Sequence, residues 1–237
     1  MDSELLVRIR SRLAAAADPG RAPGMQRYMK SSMPYHGVPS TPLRAIAHEV
    51  FAEVTFDDFS AWEREMLGLW SDAQFREEWY CALALAGHRA ARPFQTPQAL
   101  ALYERLIVEG AWWDIVDDIA THRVRPILVQ YPVALKAAMR GWSTDDNLWK
   151  RRTSIICQSG LKQQTDFDLL RDCIEPSISS KEFFLRKAVG WALREYAHSN
   201  PGAVVEYVRA RADQLSPLSK REALRHQVAA GLIDAIP

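Results

Sequence analysis

Apolar residues recur along the chain at spacings of three and four, as in Ala99-Leu102-Leu106 and Phe184-Ala188-Trp191, which is the period of a helix with one buried stripe. No run alternates apolar and polar residues over a strand's length, and neither Asn-Gly nor Asp-Gly is present to close a hairpin. The pattern predicts an all-α chain. Asp18-Pro19-Gly20, Pro39-Ser40-Thr41-Pro42, Pro93, Pro97, Ser199-Asn200-Pro201-Gly202 and Ser216-Pro217 interrupt it, leaving room for about a dozen short helices.

A longer period lies over the helical one. Trp113, Leu148, Phe183 and Leu218 follow one another at intervals of 35, and one turn later the same register reads Asp117, Arg152, Lys187 and Glu222. An apolar column is thus followed by an ionisable column that changes sign. A repeat of this length built from two helices predicts an α-solenoid, because each pair buries its apolar face only against the next. The Trp-Leu-Gly-Tyr spacing of tetratricopeptide repeats is absent, so HEAT-like repeats are the expected kind. No linker is long or polar enough to split the chain, which reads as a single domain over 1–237.

Composition narrows the class. Of 237 residues, 48% are hydrophobic and 25% charged, which suits a globular protein with a substantial core. The net charge of +1 conceals an asymmetry: residues 1–120 carry −5 and residues 121–237 carry +6. Cys81, Cys157 and Cys173 form no C-x-x-C pair, so neither a disulfide framework nor a cysteine zinc site is indicated, and a reduced cytoplasmic protein is expected. The first segment, Met1 to Ala17, reads as an amphipathic helix with Asp2, Glu4, Arg8 and Arg10, unlike a signal peptide. No apolar run approaches the roughly 18 residues that span a bilayer.

Two constellations stand out. Trp113 and Asp117 are four apart and share a helix face, which sets an indole beside a carboxylate, while Trp112 points elsewhere. Farther on, Lys187, Trp191 and Arg194 share a face, Arg151-Arg152 follow Trp149, and Lys220-Arg221 precede Arg225. Stacked by the repeat, these helices would carry a row of cations interleaved with Trp113 and Trp191 on one concave surface, which suits a phosphate backbone. The other reading of the same residues is that Lys and Arg solvate helix exteriors.

These motifs occur together with others. Met25-Gln26-Arg27-Tyr28-Met29-Lys30, Leu69-Trp70, Glu109-Gly110-Ala111-Trp112-Trp113-Asp114-Ile115-Val116-Asp117, Asp146-Asn147-Leu148-Trp149 with Arg152, Ser179-Ser180-Lys181-Glu182-Phe183-Phe184 through Trp191 and Arg194-Glu195-Tyr196, and Pro217-Leu218-Ser219-Lys220-Arg221-Glu222-Ala223 span nearly the whole chain. In this order the sequence resembles the AlkD-type alkylpurine DNA glycosylases. The resemblance implies a HEAT-like α-solenoid that cradles duplex DNA and excises cationic purines such as 3-methyladenine and 7-methylguanine, contacting the backbone and deoxyribose while the base stays in the helix. It implies that Trp113 and Trp191 are the active-site indoles and Asp117 the catalytic carboxylate. Arg152 and Arg194 match DNA-contacting arginines, and Tyr28 matches an aromatic near the lesion. Lys187, Lys220 and Arg221 join them as expected DNA-binding cations. The departures are local: Ser31-Ser32-Met33-Pro34 lacks the usual bulky aromatic, and 37–42 is one residue longer than typical.

Other chemistries lack support. The six histidines form no metal-ligand spacing, Asp118 to His122 being the nearest to one. Phosphate-binding glycine loops, serine nucleophile elbows and cysteine-histidine motifs are missing. Together with the resemblance, which implies a monofunctional enzyme acting on alkylated double-stranded DNA, the expectation is a metal-independent, cofactor-free hydrolase that acts as a monomer, without a membrane or an obligate protein partner, cytoplasmic and associated with the nucleoid when bound to DNA. The alternative is a non-catalytic helical-repeat module that binds DNA or protein. Arg152, read as a phosphate contact, should on that reading lower the salt dependence of DNA binding by about one unit when removed.

Overall fold

In the computed structural model, which describes residues 3–237, fourteen α-helices form the fold and no strand occurs among the described residues. The expected breaks become helix starts more than gaps. Pro201 and Pro217 each occupy the first position of a helix, where a missing N–H costs nothing, and Ser216 caps its helix by accepting from the Ser219 N–H. The first two residues of the helix expected over Met1–Ala17 lie outside the described residues. The chain divides after Leu102 into two compact units, a division that falls inside the helix α6 introduced below.

The first unit holds α1 (Glu4–Ala15), α2 (Ala22–Met29), α3 (Ser40–Val50), α4 (Phe59–Ser71) and α5 (Arg76–Ala86). Leu6, Ile9 and Leu13 form the buried stripe of α1, which packs on α3, α4 and α5. The segment between α2 and α3 is fixed by a carboxylate. Glu77, at the start of α5, is fully buried and accepts from the main-chain N–H groups of His36, Gly37 and Val38 at 3.1, 2.9 and 3.2 Å. A carboxylate is tolerated at such depth only with partners of this kind. Gly37 adopts φ 86°, and a Cβ there would lie 2.2 Å from the Asp18 carbonyl oxygen, so this turn requires glycine.

The helix α6 (Leu100–Gly110) leads into the second unit, with α7 (Trp113–Asp118), α8 (Arg125–Gln130), α9 (Pro132–Ser143), α10 (Leu148–Ile156), α11 (Phe167–Ile174), α12 (Phe183–Ala197), α13 (Pro201–Ala210) and α14 (Pro217–Ala229). Here the 35-residue period takes physical form. Trp113, Leu148 and Phe183 are the first residues of α7, α10 and α12, and Leu218 is the second of α14. These four helices stack in one row, α7 on α10, α10 on α12 and α12 on α14. A second layer backs the row, with α9 and α11 on α10 and α13 on α12 and α14. This two-layer succession is that of an α-solenoid. The apolar column is not core: its residues lie half-buried or, at Phe183, 52% exposed along the row of helix starts.

Within the row α12 and α14 approach closely at Gly190, where a Cβ would lie 2.4 Å from the Glu222 Cβ and 2.9 Å from the Ser219 carbonyl oxygen. Gly190→Ala is therefore expected to push α14 off α12, at a cost of about 1–3 kcal/mol against the gain in helix propensity. Denaturant unfolding of the two proteins measures it; equal midpoints would mean that the helices separate freely.

The row does not run as uninterrupted α-helix. Between α7 and α8 the backbone widens into a π-helical segment, Ile119–Val124, in which the Arg125 N–H reaches the Ala120 carbonyl. Pro126 accounts for it, having no N–H for the His122 carbonyl and a ring that crowds that turn. No helix among the described residues is long and apolar enough to cross a membrane.

Candidate active site

The short α7 carries the acidic centre. Trp112 precedes it in extended conformation and Trp113 opens it, so two adjacent tryptophans leave the backbone in different directions. Ala111, just before them, takes φ 36°, a left-handed conformation that turns the chain out of α6. Trp113 and Asp117 lie one turn apart on one face of α7, both half-buried.

Asp117 is held from the neighbouring helix. Its two carboxylate oxygens accept from Nε and Nη2 of Arg152 at 2.7 Å each, a bidentate fork, and Arg152 Nη1 donates to the main-chain carbonyl of Phe184 at 2.7 Å. One guanidinium thus joins α7, α10 and α12. Its side chain is 6% exposed, whereas that of Asp117 is 20% exposed, so the carboxylate is the partner that meets solvent. The structure puts Arg152 behind Asp117, where Nε, Nη1 and Nη2 each donate to a partner within the protein.

Aromatic rings pack beside the guanidinium. Trp112, Trp149 and Phe184 pack on one another with centroids 4.9–6.1 Å apart, and the Arg152 guanidinium lies 5.9 Å from the Phe184 ring centre. Around Asp117, burial pushes the carboxyl pKa up, opposed by the hydrogen bonds and charge of Arg152. Burial wins. The Thr121 hydroxyl donates to the Asp117 main-chain carbonyl at 2.7 Å and steadies the same turn as the π segment begins. Asp118 is engaged locally with Arg123 and His122, at 3.6 and 3.5 Å, and stands apart from this arrangement.

The second constellation lies on α12. Phe184, Lys187, Trp191 and Arg194 follow one stripe of this helix at spacings of three and four, so Trp191 stands about 10 Å along the axis from Phe184. Trp191 is half-buried and its Nε1 donates to Glu195 at 3.3 Å. Lys187 and Arg194 both reach Glu222 on α14, at 2.9 and 2.5 Å. Lys220 donates to the Ala212 carbonyl at 3.2 Å, and Arg221 is exposed. Tyr28, at the end of α2 in the first unit, is 75% exposed. Among the described residues no three His, Cys, Asp or Glu side chains gather as a metal site requires.

Sequence spacing picked out Trp113, Asp117, Trp191 and the cations but not the parts that support them. The Phe184 carbonyl, the aromatic cluster around Trp112 and the carboxylate of Glu222 came from the structure. Signals existed for one of them: Glu222 stands in the ionisable column, and Gly190, an isolated glycine in a helical run, marks the close approach of its stem.

Comparison with known proteins bears on this arrangement. The family model described as DNA alkylation repair enzyme matches residues 9–227. Among solved structures, a protein from Enterococcus faecalis described as a predicted DNA alkylation repair enzyme superposes with a TM-score of 0.77 at 27% identity, over 89% of this chain and 96% of that one. No curated protein matches the sequence.

Proposed function

The chain belongs to the family of DNA alkylation repair enzymes, and from that membership we propose that it is a metal-independent glycosylase of HEAT-like repeats that hydrolyses the N-glycosidic bond of cationic alkylated purines in duplex DNA. Its substrates on this reading are 3-methyladenine and 7-methylguanine, and it acts as a cytoplasmic monomer without flipping the base. The observation that carries the proposal is the ion pair itself: a carboxylate fixed by a buried arginine, with its open side toward solvent and an indole one turn away.

The chemistry asks for little more. A purine alkylated at N3 or N7 carries a positive charge, so its bond to C1′ is weakened and the base leaves with the bonding electrons as a neutral purine, needing no general acid. Positive charge then passes to the deoxyribose as an oxocarbenium-like centre, as in glycoside hydrolysis. Asp117 stabilises that charge and orients the water whose oxygen bonds to C1′, the water's proton passing to the carboxylate or to solvent. Arg152 holds the carboxylate in place before charge develops, so no reorganisation is required at the moment of reaction. The faces of Trp113 and Trp191 attract a cationic sugar or base, by about 0.5–2 kcal/mol each, and more strongly as charge localises. Attraction that grows toward the transition state accelerates the step, where uniform binding does not. Most glycosylases extrude the base into a pocket; contacts confined to sugar and phosphate need none and tolerate larger adducts.

The first test is release of free 7-methylguanine and 3-methyladenine from methylated duplex by the purified protein without added metal. Release supports the glycosylase; salt-dependent duplex binding without release leaves the non-catalytic DNA-binding module. A second test follows from the raised carboxyl pKa. Asp117 acts as its anion, so excision should fall on acidification with a midpoint above the ordinary carboxylate value of 3.8. In Asp117→Asn the residual rate should lack that acid limb. A profile flat down to ordinary carboxylate pH would remove the ionised Asp117 from the mechanism.

A further inference from the structure

The ionisable column of the repeat resolves into two rungs, Asp117 with Arg152 between α7 and α10 and Lys187 with Glu222 between α12 and α14, each joining residues 35 apart. The rungs are inverted. In the first the carboxylate is the more exposed partner, 20% against 6% for its arginine. In the second the lysine is the more exposed, 38% against 19% for Glu222, and Arg194 adds a second cation on the other oxygen of that carboxylate. Each rung has its tryptophan: Trp113 one turn before Asp117, Trp191 one turn after Lys187.

Glu222 has little freedom in this arrangement. Gly190 lets the Glu222 stem rest against the backbone of α12, next to Trp191 and between the turns that carry Lys187 and Arg194. Two cations flank one indole with a carboxylate fixed behind them. Lys187, Arg194 and Glu222 together carry a net +1, and Glu195 holds the indole Nε1. Without Glu222 the two cations would face one another uncompensated and repel one another away from the indole.

We propose that Glu222 is a positioning residue of a phosphate-binding site formed by Lys187 and Arg194, holding both cations beside Trp191 so that one backbone phosphate docks next to the sugar that the indole receives. The inference rests on the glycosylase reading of the acidic rung. Its charge also restrains binding where there is no damage, since every cation released to phosphates strengthens sequence-independent association. Glu222 therefore weakens affinity for ordinary duplex and raises the rate on the damaged nucleotide. That split separates positioning from a merely structural role.

Glu222→Gln keeps the shape against Gly190 and removes the charge. In the full-length protein it is expected to bind undamaged duplex more tightly, by about tenfold at low salt, with a salt dependence steeper by about one unit. Single-turnover release from saturating methylated duplex is expected to fall about tenfold, a loss of rate without loss of binding. Glu222→Asp keeps the charge and should restore the wild-type salt dependence with a rate between the two. Unchanged or weaker binding by Glu222→Gln, or an unchanged excision rate, overturns the proposal. If the glutamine variant does not fold, Lys187→Gln decides instead: a salt dependence shallower by about one unit supports the site, and an unchanged one overturns it. Should the wild type bind duplex and release no base while Glu222→Gln steepens the salt dependence, the phosphate site stands and the glycosylase reading fails.

Discussion

Asp117→Asn is expected to slow base release from methylated duplex by at least about a hundredfold, while affinity for the same duplex stays level or improves. The size follows from removing a preorganised charge aimed at a developing cation, a loss of about 10²–10³ in rate when one such group is deleted from an active site. The opposite sign for binding follows from the same charge, since a carboxylate one-fifth exposed repels neighbouring phosphates in the ground state. Asparagine keeps the shape and leaves Arg152 its bond to the Phe184 carbonyl, but it strips a buried guanidinium of its counter-charge. Some stability is lost as well, up to about 3 kcal/mol. Kinetics are therefore to be read below the melting transition, by single-turnover release beside a binding titration. A variant that binds and cleaves like the wild type would show that the carboxylate has no part in the reaction.

Much of this arrangement was legible in the chain before the fold was known, because a solenoid repeats one local decision. The interval of 35 marked the starts of α7, α10 and α12 to the residue and that of α14 to within one. Even the ion pairs were within reach. The column reads acid, base, base, acid, so opposite charges meet only at its first and last steps, where the structure pairs them. What the spacing could not convey was depth. An arginine in a helix with Trp149 on one side and Thr153 on the other reads equally well as a surface cation; the partners that enclose it are distant in sequence, Asp117 from 35 residues before it and the Phe184 carbonyl and ring from 32 residues after it. Main-chain acceptors such as the Phe184 carbonyl leave no trace in residue identities. The division after Leu102 was hidden for a different reason, since it falls within the unbroken helix α6, where composition does not change.

The burial of Arg152 changes what its removal should do. As a surface phosphate contact it would, when lost, weaken binding to every duplex and lower the salt dependence by about one unit. As the partner behind Asp117 it should, in Arg152→Ala, leave the salt dependence nearly unchanged and cost about 3–5 kcal/mol of stability, the range for a buried pair broken on one side. The stranded group is then the carboxylate. Burial already raises its pKa and Arg152 is the main influence pulling it down, so without the arginine the pKa climbs further. The sign of the linkage follows: a carboxyl whose folded pKa exceeds its unfolded one holds its proton more firmly in the folded protein, so the variant's stability deficit should shrink on acidification and grow as pH rises through the folded pKa. Activity should move the other way, its acid limb displaced to higher pH than in the wild type and the rate rising as Asp117 ionises. Opposed pH trends of stability and excision in one variant would distinguish a positioning arginine from a phosphate contact, whose loss lowers the salt dependence and leaves the acid limb of the rate profile where it was.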